Sequence, residues 1–217
     1  LQHDAPLKAD ILCVPAIAPL RGDRNTLDLV LGTGAGYFDY FANIHKEHPI
    51  MMWHIPTIGR ILPNDLEAGS IQGPSEIGWG YVCPTLFDWN DNGKYDLLFS
   101  EINGEHRICF NIGTKINPNF DSPKKLVNES TNMPLSTVWR VKPALLRNSK
   151  NIVDYYCLDE DAHLAHYQKM GGKESLKLRK IRKLNSTEGL TFSFTEGYGG
   201  RRGRIKFHLF DWNHNGV

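Results

Sequence analysis

The sequence predicts an all-β fold assembled from successive units of about 60 residues, the architecture of propeller blades. Three observations carry this. Short β-branched and aromatic runs built on an aspartate recur as Leu27-Asp28-Leu29-Val30-Leu31, Tyr95-Asp96-Leu97-Leu98-Phe99 and Val153-Asp154-Tyr155-Tyr156-Cys157, with aspartates 68 and 58 residues apart. Eight residues past each aspartate stands a small residue at a turn: Gly36, Gly104 and Ala162. Long amphipathic helical patterns are absent, and the one helix-compatible stretch, around Lys173 to Lys183, is too rich in Lys and Arg to bury a face.

Each unit reads strand, polar loop, strand, tight turn, strand. The first spans about 10–75, with its turn at Gly34-Ala35-Gly36 and Asn43-Ile44 after the third strand. The second, about 77–130, opens with Pro84-Thr-Leu-Phe87, turns at Asn103-Gly104, a strong hairpin signal, and reaches Asn111-Ile112 in the same register. The third, about 137–195, opens with Pro143-Ala-Leu-Leu146 and turns at Glu160-Asp161-Ala162. A fourth starts at about 198–217, where Gly203 precedes Asp211-Trp-Asn213 by the same eight residues that separate Gly80 from Asp88-Trp-Asn90. Such units need neighbours to cover their faces, and a closed ring needs at least four. The expectation is therefore one incomplete propeller over 1–217, from a longer chain that starts before Leu1 and whose ring continues past Val217 or is completed by partner chains.

The bulk composition, 41% hydrophobic and 23% charged, is that of a globular protein. With 25 Lys and Arg against 24 Asp and Glu, no electrostatic reason exists to expect nucleic acid or an anionic membrane as partner. No apolar run approaches the roughly 18 residues of a membrane span, so no membrane insertion is expected. Cys13, Cys83, Cys109 and Cys157 are widely spaced and lie in or beside apolar runs, which reads as buried free thiols.

The loop Asp88-Trp-Asn-Asp-Asn-Gly-Lys-Tyr-Asp96 carries side-chain oxygens at its positions 1, 3, 5 and 9: Asp88, Asn90, Asn92 and Asp96. Gly93 permits a sharp turn, and Lys94 at position 7 offers only its main-chain carbonyl. Oxygens alternating in this way curl inward around a hard cation that takes six to eight of them. An EF-hand needs a bidentate Glu at position 12, where this chain has Phe99, so that motif is rejected. The expectation is structural Ca2+; the other reading is a polar turn rich in Asn and Asp that holds no metal. A second, partial copy supplies Asp211, Asn213 and Asn215. The matching loops Arg21–Thr26 and Arg147–Asn151 lack the ligand pattern, as expected of a structural insert rather than a catalytic metal.

Asp88-x-Asn-x-Asn-Gly-x-x-Asp-Leu-Leu98, followed by Asn111-Ile-Gly-Thr114 and Asn117-Pro-Asn-Phe120, resembles the FG-GAP/VCBS repeat family, which includes the integrin α-subunit propeller and many secreted bacterial propellers. The resemblance is strong over 80–125 and 200–217, fair over 10–45 and weak over 137–170. It implies a ring of seven or eight blades, with calcium in the loop between the first two strands of certain blades. It also implies an extracellular, secreted or cell-surface location and association with polysaccharide, either as a binding module or as part of a polysaccharide lyase or glycosidase. A protein-interaction or adhesion module and a plain scaffold are the alternatives. No catalytic motif carries over, and whether the chain is an enzyme stays open.

In that family the metal loops share one face of the disc, so the stretches leading into each first strand lie on the other. Here these hold Trp79, Tyr81, Trp139, Arg140, Arg201, Arg202 and Arg204, aromatic plates beside guanidinium groups that suit sugar rings and uronate carboxylates. The ordinary alternative is packing between units. Gly32-Thr-Gly-Ala-Gly36 lacks the Lys-Ser/Thr of a phosphate loop and reads as a hairpin turn. His163 and His166, three apart on a strand, face opposite ways; His45 and His48 lie in a loop and remain a candidate pair. The basic run 173–183 reads as a solvated strand or loop, with a polyanion contact as the alternative.

Overall fold

The computed structural model describes residues 12–22, 26–42, 44, 50–54, 80–194, 204–210 and 212. Among them the protein is all-β, with thirteen strands, three sheets and no helix. The first sheet is an antiparallel meander of β1 (Val14–Ala18), β2 (Asp28–Gly32), β3 (Phe38–Ala42) and β4 (Ile50–His54). The second repeats the plan with β5 (Cys83–Phe87), β6 (Asp96–Ser100), β7 (His106–Cys109) and β8 (Lys124–Lys125). The third runs β10 (Ala144–Arg147), β11 (Val153–Leu158), β12 (Leu164–Met170) and β13 (Lys177–Lys183). The basic run 173–183 thus contributes a strand. The short β9 (Val127–Asn128) lies in the stretch assigned to the second unit, yet it pairs parallel to β13 and ties that stretch to the third sheet.

All three aspartate runs form the second strand of their sheet, and the turns after them share one geometry. The amides of Gly36, Gly104 and Ala162 donate back to the carbonyls of Thr33, Glu101 and Asp159 at 3.2, 3.0 and 3.0 Å. Each of the three turn residues has positive φ, at 89°, 76° and 63°, which is why the position calls for glycine or another small residue. A second recurrence precedes the first strands. Leu12, Tyr81, Arg140 and Arg204 all take φ between 48° and 62°, an uncommon conformation for a residue with a side chain. Three of them stand three residues before Pro15, Pro84 and Pro143. Those prolines are tolerated because β1, β5 and β10 are sheet-edge strands.

In the central sheet β6 is buried on both faces, so it reads as a continuous apolar run rather than an alternating one. Along β6, Leu97 and Phe99 pack toward the first sheet with Val30, Phe38 and Phe120. Leu98 between them packs the other way with Trp89, Ile108, Tyr155, Tyr167 and Leu178, the two-residue period of a strand in contact with two neighbours. Phe38 meets Phe99 edge to face at 4.9 Å between centroids. Buried His106 bridges to the third sheet, with Nδ1 2.5 Å from the Tyr155 hydroxyl and Nε2 2.8 Å from Thr137 Oγ1.

The first strands lie side by side. β1 packs against β5, Thr85 Oγ1 donates to Pro143 O at 2.9 Å, and Lys142 Nζ donates to Pro15 O at 2.6 Å. Lys142 also bridges in parallel to Lys206. Between these strands and 207–209 sits a cavity of about 300 Å3 lined by Pro15, Thr85, Leu86, Pro143, Phe207 and Leu209, among others. Cys83, Cys109 and Cys157 are buried and Cys13 half-buried, and none of the four is in a disulfide.

Candidate cation site and the opposite face

Loop 88–95 leaves β5 at Phe87 and returns at Asp96, which is paired with it across the ladder. The side chains of the loop fold into its own amides. Asp88 Oδ1 and Oδ2 accept from the amides of Asn92 and Gly93 at 3.0 and 2.8 Å, and Asn92 Oδ1 accepts from the Lys94 amide at 2.9 Å. Asp91 and Gly93 take positive φ of 58° and 79° to make the curl. Asp96 is 0% exposed, and its two oxygens accept from the amides of Trp89 and Asn111 at 3.0 and 2.8 Å. The loop's carbonyls face outward to the third sheet: Arg147 donates to Asp88 O at 2.6 Å, Lys169 to Trp89 O at 2.9 Å and Lys173 to Asp91 O at 3.3 Å. Buried Trp89 adds an Nε1 donation to Ser175 O at 2.9 Å.

A metal-free polar turn accounts for Asp88 and Asn92, whose oxygens cap loop amides. It leaves one oxygen without a partner and one buried carboxylate bonded to backbone amides alone. Asn90 Oδ1 is buried and has no hydrogen-bond partner, and the Asp96 carboxylate is fully buried with no cation or side-chain donor on it among the described residues. Burial, reinforced by the Asp88 charge and only partly offset by the Asn111 and Trp89 amides, pushes the Asp96 pKa up to about 6.

The equivalent aspartates of the other two sheets show what is missing. Asp28 holds Arg21 in a fork, Nε to Oδ2 at 3.1 Å and Nη2 to Oδ1 at 2.9 Å, and accepts from the Tyr40 hydroxyl at 3.0 Å. Asp154 has His166 Nε2 and Gln168 Nε2 on Oδ1 at 2.7 and 2.9 Å and Asn148 Nδ2 on Oδ2 at 2.9 Å. Burial raises the Asp154 pKa, but those hydrogen bonds outweigh it and hold the group below the usual range. Only in loop 88–95 does the second-strand aspartate face backbone amides alone, together with an orphaned amide oxygen. Two carboxylates, two side-chain amide oxygens and the Lys94 carbonyl are a donor set suited to a hard divalent cation.

A second acidic cluster joins Asp159, Asp161 and His163, with ligand atoms within 4.8 Å of one another. Lysines already hold it: Lys180 Nζ is 2.7 Å from Asp159 Oδ2, and Lys183 Nζ is 3.6 Å from both Asp159 and Asp161 and 3.0 Å from His163 Nδ1. Asp159 Oδ1 further caps the turn through the Asp161 and His163 amides. The basic strand β13 is thereby committed to internal acids, with Arg179 forked onto Glu129 at 2.9 and 3.0 Å. His163 and His166 do not converge; one meets Asp159 and the other Asp154.

On the other face, the second-to-third-strand turn does meet the stretches leading into first strands. Thr137 N donates to Gly104 O at 2.9 Å and Ile102 N to Gly80 O at 3.0 Å. Tyr81, Trp139 and Arg140 are all buried there. The Arg140 guanidinium lies 4.1 Å from the Tyr81 ring centroid and 5.1 Å from that of Trp139, and Arg204 lies 5.1 Å from Trp139. The rings are thus stacked with guanidinium groups rather than presented as bare plates. Beneath them sits Glu101, a group that sequence patterning did not single out. It is fully buried, and neither oxygen closes a hydrogen bond. Burial pushes its carboxyl up to about 7, against partial compensation from the Arg107 charge. Its place five residues after Asp96 is the turn-capping place of Asp159 after Asp154.

Trp79, Arg201, Arg202, Asp211, Asn213 and Asn215, with His45 and His48, lie outside the described residues. No protein-family model and no curated protein matches the chain.

Proposed function

We propose that the chain is part of a calcium-stabilised β-propeller of the FG-GAP/VCBS type, working outside the cell as a glycan-binding module. The observation that carries the cation is the contrast among three equivalent aspartates. Asp28 and Asp154 are served by side-chain donors, whereas Asp96 is buried beside the partnerless Asn90 Oδ1. Asp88, Asn90, Asn92, Asp96 and the Lys94 carbonyl would hold Ca2+, and Asp211, Asn213 and Asn215 would begin a second such loop. Calcium there supplies the positive charge that gathers these oxygens and clamps β5 to β6; it takes no part in chemistry. The blade reading is supported by four-stranded meanders whose first strands converge around one cavity.

The glycan reading rests on exposed Arg204, 5.1 Å from the Trp139 ring; Tyr81, Trp139 and Arg140 are buried behind it, and Trp79, Arg201 and Arg202, which lie outside the described residues, are further candidates from the sequence alone. Because arginines cover the described rings, this face favours carboxylated sugars over neutral ones. Glu101 is buried out of reach of any substrate, which favours binding over catalysis by that carboxyl. For the metal, melting with calcium and with chelator is decisive: saturation at about 100 times Kd adds about 2.7 kcal/mol, and an unchanged Tm removes the clamp. For the glycan, calorimetry against polyuronate and neutral polysaccharide tests the face. If Arg201→Ala, Arg202→Ala and Arg204→Ala together leave polyuronate binding intact, that surface is not the site.

A further inference from the structure

Between the outer side of loop 88–95 and the turn joining β12 to β13 lies a cavity of about 140 Å3, lined among others by Trp89, Asp91, Arg147, Asn151, Lys169 and Lys173. Three cations border it against one lining carboxylate. That carboxylate, Asp91, is only loosely paired, 3.9 Å from Arg147 and 3.8 Å from Lys173. The cations instead donate to uncharged carbonyls: Arg147 to Asp88 O, Lys169 to Trp89 O and Lys173 O, Lys173 to Asp91 O. A carbonyl orients an ammonium or guanidinium group without cancelling its charge. Gly171 and Gly172 line the cavity as well, and a Cβ at Gly172 would meet nothing within 4 Å, so that side is open to a ligand.

We propose that this cavity is an oxyanion site, taking one sulfate or carboxylate group between Arg147, Lys169 and Lys173. The volume of about 140 Å3 is ample for one such group. Arg147, whose Nη2 and Nη1 already donate to Asp88 O and Asn151 O at 2.6 and 3.5 Å, offers its remaining N–H groups, while Lys169, stacked 5.1 Å over the Trp89 ring, is held in place by two carbonyls and keeps one N–H for a ligand oxygen. Burial, followed by the Arg147 charge, pushes the Lys169 pKa down to about 8, only partly offset by the charges of Asp96, Asp88 and Asp91. The site lies on the loop face, away from the Arg204 surface, and does not depend on calcium in the loop.

The test is a titration of the whole chain with sodium sulfate against sodium chloride at matched ionic strength, in chelator, following Trp fluorescence and the amide resonances of Gly171 and Gly172. Saturable shifts at Gly171 and Gly172 with sulfate and not chloride are expected. Lys173→Ala, whose side chain is 71% exposed and which the fold tolerates, is expected to weaken sulfate binding about tenfold. Arg147→Met with Lys169→Met is expected to abolish it, with circular dichroism reporting whether that variant folds. Equal responses to the two salts overturn the proposal, and so does sulfate binding indifferent to Lys173→Ala. Chondroitin sulfate that competes with inorganic sulfate and is weakened by Lys173→Ala assigns the group to a glycan, whereas inorganic sulfate alone assigns it to a free anion; either result supports the cavity as the site.

Discussion

Asp96→Asn isolates the electrostatic strain on which the cation reading depends. Burial lifts this carboxyl from 3.8 to about 6, so the folded chain holds the proton more tightly than the unfolded one. Stability from this group is fully present below pH 3.8 and is lost as pH rises through 6. Two pH units at 1.36 kcal/mol each make the loss about 3 kcal/mol. At about 2–4 °C per kcal/mol for a chain of this size, that is a fall in Tm of about 6–12 °C. Asparagine does not titrate, and the hydrogen bond it forfeits, about 1 kcal/mol, is the same at every pH. The readout is therefore the Tm of wild type minus that of Asp96→Asn, measured in chelator from pH 4 to pH 7. It is expected to fall across that range. With calcium present the sign reverses, because the cation holds the carboxylate ionised and binds better as pH rises. A difference that is flat with pH in chelator refutes the strain at Asp96. A falling difference that calcium leaves unaltered refutes the cation.

Four further outcomes are expected. Arg21→Met leaves Asp28, 0% exposed, without its forked cation and costs about 3 kcal/mol by chemical denaturation, a loss that adding Asp28→Asn largely restores; additive losses in the double variant count against the pair. Burial holds the His106 ring neutral, with its pKa pushed down to about 3, so its contribution is complete above the ordinary 6.5 and is lost as pH falls below it; His106→Gln is expected to flatten the acid limb of the Tm profile, and an unchanged limb assigns that loss elsewhere. Gly104→Ala places a Cβ 2.1 Å from Thr137 O at a φ of 76° and is expected to cost about 2 kcal/mol or more. Gly172→Ala, with nothing within 4 Å, is expected to stay within about 0.5 kcal/mol.

The second strands were legible because each apolar run has a hard boundary, an aspartate where a loop ends and a small residue with positive φ where a turn begins; the fourth strands β4 and β8, which carry no such marks, were not. Those boundaries are local chemistry. The pairing of β9 with the third sheet was not legible, since Val127 and Asn128 find Lys177 and Leu178 fifty residues away through parallel bonds without a turn to announce them. In the loop, the spacing of oxygens was visible at Asp88, Asn90, Asn92 and Asp96, while the deciding fact, that Asp96 lacks the side-chain donors of Asp28 and Asp154, is tertiary. Arg21 reaches Asp28 by the folding back of its own loop, and His166 reaches Asp154 from the next strand. The aromatic residues of the opposite face were visible too, but not that Arg140 would cover Tyr81. Composition shows which groups are near in sequence and says nothing of which ring face is left open. The oxyanion cavity was invisible for the same reason, its cations coming from β10, β12 and the turn beyond.

The three aspartates pose one electrostatic problem with different solutions, and loop length decides which is open. Each begins or nearly begins a second strand and is buried where the first loop closes. In the third sheet only 148–152 joins the strands, too few residues to wrap oxygens round an ion, so Asn148 and the neighbouring strand residues His166 and Gln168 donate instead. In the first sheet 19–27 is long enough to send Arg21 back with a fixed charge. In the second, 88–95 is long enough to curl but spends its cations elsewhere: Lys94 reaches away to Gly113 O, and Arg147, Lys169 and Lys173 take outward carbonyls. The loop with neither a returning cation nor side-chain donors is the one with a buried, partnerless amide oxygen at Asn90 beside its aspartate. That correlation is what a metal-dependent solution requires, and it makes Arg21 the built-in counterpart of the ion: moving an arginine into loop 88–95 at Asn90 should replace calcium dependence of Tm with calcium indifference, without loss of the fold.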